Sequence, residues 1–483
     1  MTSRRRHAVR TAIRLIAVGV VPHNRRPAAA WGWLSAIFLF PVPGSLAYLV
    51  LGRAQLPKSR RNKQAGAAQL VDPHGPGTGE EDTGRDRLPD WLFETTRLNG
   101  HNGAFPLTGG NRVEVLPDYN GCLEEIAEQI RGARSSVHFQ FYIAASDKTT
   151  EPVVAALEDA HRRGLTVRVL IDHLGSAGYP GYQQMVQRLD AAGIPWRRML
   201  PVRPWRGQYQ RPDLRNHRKI VVVDGQVAFA GSQNVIDRSY NKKRNKRRGL
   251  QWISLMLRLQ GPVVEHLDAL FATDWYCETD EMIPERASEL DPAPSDENPG
   301  DVVCQVLPSG PGLAQENNLQ MFNHLFASAK ERITICSPYF VPDKSMYDTL
   351  RAAVGRGVEV SLYTGKTSNH IPTLHAQRSF YEPLLLDGVR IFLYPPPYVL
   401  HAKFVLIDDD AAVVGSANMD IRSFVLDHEV NLLFAGADVV ARLDEVVEDY
   451  RRDSHELTME EWRARPWYQK YVDNTARLTS PLQ

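Results

Sequence analysis

The sequence predicts an α/β protein in which one domain is used twice: two mixed sheets flanked by helices and related by a pseudo-twofold, behind an N-terminal membrane-associated helical segment. Three observations carry this. Strand and helix patterns recur in the same order in both halves of the chain. The fragment "NHRKIVVVDG" returns 184 residues later as "LHAKFVLIDD". Near the N-terminus, the stretch from Pro27 to Gly52 carries no charged residue.

That stretch, "PAAAWGWLSAIFLFPVPGSLAYLVLG", comes first in chain order. At ~1.5 Å per helical residue it is long enough to cross a hydrocarbon layer of ~30 Å. Trp31, Trp33 and Tyr48 sit near its two ends, where amphipathic rings favour headgroups. Pro41, Pro43 and Gly44 interrupt it, so a kinked or re-entrant course is also open. The shorter run "TAIRLIAVGVVP" ahead of it carries Arg14 and suits half of a membrane hairpin or an interfacial segment. A secretory signal is the competing reading, but the charged "HNRR" before the small-residue site and the apolar run after it argue against cleavage. Arg53, Lys58, Arg60, Arg61 and Lys63 follow the run. Positive-inside bias therefore predicts a cell-membrane protein with its bulk on the cytoplasmic side.

Residues 1–53 are thus the membrane-associated segment, and the polar, Gly- and Asp-rich residues 54–90 read as a flexible tether. A first domain covers 91–288, a soft stretch (289–301, "ELDPAPSDENPGD") links, and a second domain covers 302–483. In the first, "ARSSVHFQFYI", "TEPVVAALEDAHRRG" and "LTVRVLID" read as strand, helix and strand. In the second, "AKERITICSPYFV", "SMYDTLRAAVGRG" and "VEVSLYTG" follow suit. Such alternation means βαβ units and mainly parallel pairing. The 483 residues suffice for two cores, and a formal charge of +1 excludes a uniformly basic nucleic-acid binder. Cys122, Cys277, Cys304 and Cys336 lie far apart without zinc spacing, so free thiols and no metal site are expected.

The repeated fragment extends beyond ten residues. His217, Lys219, Asp224, Gly231, Ser232 and Asn234 match His401, Lys403, Asp408, Gly415, Ser416 and Asn418 at identical spacing. Each copy is two apolar runs about a turn, the pattern of a hairpin. Alternation puts His217 with Lys219, and His401 with Lys403, on one face. Asp224 and Asp408 fall in the turns, where they are expected to hold the hairpin rather than touch a reacting group. Two imidazoles and two ammonium groups brought together suit a phosphodiester. One imidazole can attack phosphorus while the other gives a proton to the leaving oxygen. The lysines, with Ser232, Asn234, Ser416 and Asn418, would meet the charge on the phosphoryl oxygens without metal or cofactor. His138, His370 and His375, which are not repeated, read as structural.

At these residues the chain resembles the phospholipase D superfamily, whose signature is H-x-K-x4-D followed by G-S-x-N, twice in one chain. "VLPSGP", "ICSPYFVPD", "HAKFVLIDDDAAVVGSANMDIRSFVLDHEVN", the C-terminal "ELTMEEWRARPWYQKYVDNTARLTSPL" and the N-terminal apolar run look more narrowly like bacterial cardiolipin synthases. The resemblance implies a membrane-bound phosphatidyltransferase: two phosphatidylglycerol molecules give cardiolipin and glycerol through a phosphatidyl-histidine. By analogy His217 would be the nucleophile and His401 the acid, then the base. It also implies an acid in the strand after each motif, oriented on the motif histidine. Glu429 fills that place in the second half. In the first, Ser254 stands where Asp is expected, which would weaken His217 or exchange the two roles. Gln140 stands where Glu is common. Hydrolysis of phospholipid, a serine acceptor, a superfamily nuclease and a catalytically degraded lipid-binding scaffold are the competing readings. The basic run "NKKRNKRRG" (241–249) reads as a solvated loop or as a contact for anionic headgroups.

Overall fold

The computed structural model describes residues 3–23, 27–52, 56–71, 84–206, 208–283, 300–313 and 316–478. The first half contributes strands β1 (Thr108–Leu116), β2 (Ser136–Phe141), β3 (Thr166–Asp172), β4 (Trp196–Met199), β5 (Lys219–Val223), β6 (Val227–Gly231) and β7 (Met256–Gln260). The second contributes β8 (Val302–Ser309), β9 (Arg332–Cys336), β10 (Glu359–Gly365), β11 (Arg390–Tyr394), β12 (Phe404–Ile407), β13 (Ala411–Gly415) and β14 (Asp427–Ala435). Their spatial orders are β1-β7-β6-β5-β2-β3-β4 and β8-β14-β13-β12-β9-β10-β11. The two orders are the same, so the duplication is structural.

Within each half, the strands just named pair in parallel at β2-β3-β4 and at the counterpart β9-β10-β11. There the helices Glu151–Arg162 and Tyr182–Ala192 in the first half supply the crossovers. The motif hairpins pair antiparallel, and so do the strands beside them. The sheet is mixed, as the fold class anticipates, and carries more antiparallel pairing than the βαβ pattern by itself suggests. Strands β1 and β8 also pair with each other, Thr108 opposite Cys304 and Asn111 opposite Val302. What the sequence presents as two sheets is one continuous sheet across the pseudo-twofold.

Side-chain alternation along the motif strands decides how the halves meet. Val221 and Val223 of β5 point into the first half's own helix-covered core. Ile220 and Val222 point the other way, into a core shared with Leu406, Val414 and Leu432 of the second half. In β12, Val405 and Ile407 face the second half's own core while Phe404 and Leu406 face the shared one. Because both faces are buried, the strands read as unbroken apolar runs. The shared core fixes one motif hairpin against the other.

Among the described residues no helix is long and apolar enough to cross a membrane. The N-terminal segment forms helices Ser3–Val20, Pro27–Leu39 and Pro41–Leu51 instead. Pro41 starts a new helix, since a proline in a helix interior removes a hydrogen bond and clashes with the preceding turn. The last two helices fold back on each other, with the rings of Trp33 and Tyr48 5.6 Å apart. At Gly44 a Cβ would lie 2.6 Å from the Ala36 carbonyl oxygen, so glycine permits the approach. The expected single span is thus a broken helical hairpin, and it leaves Leu15, Trp31, Leu39, Phe40 and Leu49 exposed.

Part of the expected tether is ordered against the first half. Helix Lys58–Val71 packs on helix Val263–Thr279, with Arg60 paired to Glu278 and Lys63 to Asp280. Residues 72–83 of the tether, 284–288 at the end of the first domain and 289–299 of the linker lie outside the described residues.

Candidate active site

The two motif aspartates sit at the far ends of the hairpins from the histidines. Asp224, at φ 55°, accepts the backbone N–H groups of Arg134, Ser135 and Ser136 and the Ser135 hydroxyl. Asp408, at φ 50°, accepts those of Lys330, Glu331 and Arg332. Each ties its turn to the start of the neighbouring strand, β2 or β9. Their carboxylates meet the frame of the sheet rather than the histidines.

Glycines 231 and 415 let the strands close up: a Cβ would lie 2.5 Å from the Leu255 carbonyl oxygen at one and 2.4 Å from that of Val430 at the other. The serines that follow are engaged. Ser232 donates to the Leu255 carbonyl at 3.0 Å, and Ser416 donates to the Glu429 carboxylate. Asn234 accepts the Ile143 N–H and donates to the Tyr240 hydroxyl. Of these four side chains, Asn418 alone keeps a buried oxygen without a partner among the described residues. Of the four expected phosphate-binding residues, three are thus committed to the protein.

The chain ahead of each histidine crosses to the other half. Arg215–Asn216 pairs with Asp427–His428, and Tyr398–Leu400 pairs with Gln251–Ile253. The His217 N–H donates to the His428 carbonyl at 2.8 Å, and that of His401 to the Ile253 carbonyl at 2.6 Å. The next residue of each partner strand therefore meets the histidine of the opposite motif. Glu429 lies 3.0 Å from His217 Nδ1 through both oxygens, and Ser254 Oγ lies 3.1 Å from His401 Nδ1. The reading that Ser254 weakens His217 is overturned: the carboxylate of the second half serves the histidine of the first. Sequence adjacency could not show this, because the crossing is set by pairing between halves.

Both lysines are buried beside the imidazoles. Lys219 donates to the His217 carbonyl, and Lys403 donates to that of His401 at 3.0 Å and lies 3.2 Å from its Nε2. Burial and the repulsion of Lys219 and Lys403 hold His217 well below its ordinary pKa. Burial, Lys403, Lys219 and His217 do the same to His401. Each histidine feels both lysines, so the two sets lie near one another. Burial brings Lys219 down to about 7, and burial with the repulsion of Lys219 brings Lys403 well below its usual range. Glu429 is pushed up to about 7 by burial, against Lys219 and the hydroxyls of Ser416 and Ser423. A neutral His217 donating Nδ1–H to Glu429 presents the Nε2 lone pair to the pocket.

Several neighbours carry no sequence signal of their own. Ser423 donates to Glu429 at 2.8 Å. The Tyr142 ring stands 4.8 Å from His217 and the Tyr240 ring 6.5 Å from His401, both edge-on. Behind His217, Asp274 gathers Gln140, Asn216 and Arg218, so Gln140 belongs to a buried network. His138 pairs with Asp268 and His375 with Asp473, as structural histidines do. His370 differs: it stacks edge-on against Tyr339 and contributes to the field on His401, so it lies near the site. In the basic run 241–249, Lys242 lies over the Tyr179 ring, Asn245 is buried and Arg248 donates to Thr367. That run is a folded turn rather than a loose loop.

A family model described as "Cardiolipin synthase, PLD-like domain" matches residues 126–275 and 322–451, and one described as "Phospholipase_D-nuclease N-terminal" matches 11–53. The chain belongs to the cardiolipin synthase family. It is similar to cardiolipin synthase A of Proteus mirabilis, 30% identical over 96% of this chain and 94% of that protein. It is likewise similar to the cardiolipin synthase of Geobacillus kaustophilus, 31% identical over 97% of this chain and 91% of that one. Among solved structures, the phosphatidylserine synthase of Haemophilus influenzae aligns with TM-score 0.61 at 15% identity, over 82% of this chain and 100% of that one. That likeness concerns the fold. Membership of the cardiolipin synthase family makes this chain an enzyme of a phosphatidyltransferase family.

Proposed function

We propose that the protein makes cardiolipin from two phosphatidylglycerol molecules at the cytoplasmic face of the cell membrane. Nε2 of His217 attacks the phosphorus of the first, and His401 passes a proton to the departing glycerol oxygen as the P–O bond breaks. A phosphatidyl-histidine remains. The terminal hydroxyl of the second phosphatidylglycerol then attacks phosphorus, His401 takes its proton, and the P–N bond breaks. Lys219, Lys403 and the Asn418 amide carry the phosphoryl oxygens in this scheme.

The observation that carries the reading is the crossed pairing, Glu429 on His217 and Ser254 on His401. One imidazole has an anionic partner that fixes its tautomer and raises its basicity, while the other has a neutral one. Two similar residues are thereby pushed into different roles. The broken apolar hairpin, with its exposed Leu39, Phe40 and Leu49, supports membrane association close to substrates that stay in the bilayer. It supports a re-entrant or interfacial insertion better than a single span.

Purified full-length protein with phosphatidylglycerol labelled in its headgroup, in detergent, tests this. Cardiolipin with one free glycerol per product is expected. Phosphatidic acid in place of cardiolipin would replace the transferase by a hydrolase, and absence of turnover would leave a lipid-binding scaffold.

A further inference from the structure

Away from the histidine pocket, four arginines line a cavity that the proposed reaction does not use. Arg197 and Arg198 come from β4 at the outer edge of the sheet, and Arg203 and Arg206 from the loop after it. With Asp190, Trp196, Pro201, Gln208 and Glu278 they enclose about 340 Å³. Both carboxylates of the wall are engaged. Asp190 accepts the Trp196 indole N–H at 2.6 Å, and Glu278 accepts from the Arg60 guanidinium and from the Leu200 N–H at 2.9 Å. The acceptors of Arg197 and Arg198 are neutral, the Trp196 carbonyl and the Tyr182 hydroxyl. Partial burial and the repulsion of Arg198 and Arg206 depress the Arg203 guanidinium. His173, which accepts the Val202 N–H, is held at about 4 by burial and by Arg203, Arg198 and Arg215. Such a cluster is incomplete without an anion. Guanidinium forks match the oxygens of a phosphate best.

The surroundings say which phosphate. The loop bearing Arg203 and Arg206 runs on into His217. Leu56, four residues past Gly52, packs against Leu200 and Leu214 at the two ends of that loop. On the loop Trp205 is 77% exposed and Tyr209 44%. Exposed indole and phenol rings beside cations are the side chains that settle at headgroup level. A soluble ion would have no use for them.

We propose that the cavity of Arg197, Arg198, Arg203 and Arg206 binds the phosphate headgroup of an anionic phospholipid that is not turned over, docking the mouth of the histidine pocket on an anionic lipid surface. The proposal does not depend on which phospholipid reacts.

The test uses the full chain in neutral detergent, titrated calorimetrically with dihexanoyl phosphatidic acid and separately with inorganic phosphate. Two classes of site are expected for the lipid, the histidine pocket and the arginine cavity. The pair Arg203→Gln and Arg206→Gln should weaken one class at least tenfold and leave the other, and Arg203→Lys with Arg206→Lys should fall between. Arg206 is exposed, so Arg206→Glu alone gives the same comparison without disturbing the fold. Unchanged binding in these variants overturns the proposal. Inorganic phosphate filling the cavity as tightly as the lipid overturns it too, in favour of a free-anion site.

Discussion

Ser254 bears on the proton-carrying imidazole, and this changes what its substitution does. A hydroxyl at 3.1 Å stabilises an imidazolium little, and burial, Lys403 and Lys219 oppose that charge, so the acid form of His401 depends on the bound phosphodiester anion to offset them. Ser254→Asp would place an anion at Nδ1 and raise the His401 pKa. The alkaline limb of kcat, where a protonated His401 is lost, should move to higher pH, while the limb set by His217 and Glu429 stays. Superimposable alkaline limbs for the two proteins would show that Ser254 has no hold on proton transfer. The lysines give a second expectation. With Lys219 near 7 in the empty pocket, it is largely neutral at pH 8. A bound phosphodiester anion favours its charged form, so binding must take up protons. Calorimetry with glycerophosphoglycerol at pH 8, in buffers of different ionisation enthalpy, should show uptake of roughly 0.5–1 proton per site. Zero uptake would mean that Lys219 is already charged.

At the scale of single elements, the motif hairpin depends on Asp224 more than the chemistry does. Burial alone would raise its carboxyl, but three backbone N–H groups and the Ser135 hydroxyl outweigh that and lower it. A carboxyl with a depressed folded-state pKa stabilises above its unfolded value, ~3.9, and loses that contribution as pH falls through the folded one. Asp224→Ala should therefore cost about 2–4 kcal/mol at pH 7, with a smaller difference below pH 3. Its kcat per folded molecule should change less than fivefold. A loss beyond 100-fold in a protein of unaltered Tm would return the aspartate to the chemistry. The turn position of Asp224 and Asp408 already pointed this way in the sequence, and so did both hairpins. Strands β1 and β8 were not evident as a pair, because a cross-half ladder has no local pattern to betray it. Glu429 was recognisable as an orienting acid, but its partner was not: the residues that select His217 are Arg215 and Asn216, paired to Asp427 and His428. Nothing in those four residue types encodes the crossing.

For the whole molecule, that crossing makes each half incomplete. His217 needs Glu429, His401 needs Ser254, and Ile220 shares a core with Leu406 and Leu432. The halves are also joined by one sheet through β1 and β8 and by the two crossed pairings. A chain cut once within 284–299 should thus hold together without the covalent link, since the buried shared core resembles an obligate interface rather than a transient one. With a protease site placed there and cleaved after folding, the two pieces should co-purify in detergent and keep at least half of the uncut turnover. If instead the pieces separate on dilution with each lobe still folded, the lobes are independent domains and the shared core contributes little. The second half alone should be inactive in either case, because His401 would keep its lysine but lose both Ser254 and the nucleophile across the pocket. Adding back the first half with Glu429→Gln in the second should not restore turnover, as a neutral amide leaves His217 without its anionic partner. By comparison with the loss when the carboxylate behind a catalytic histidine becomes an amide, the deficit should be on the order of 10³–10⁴-fold.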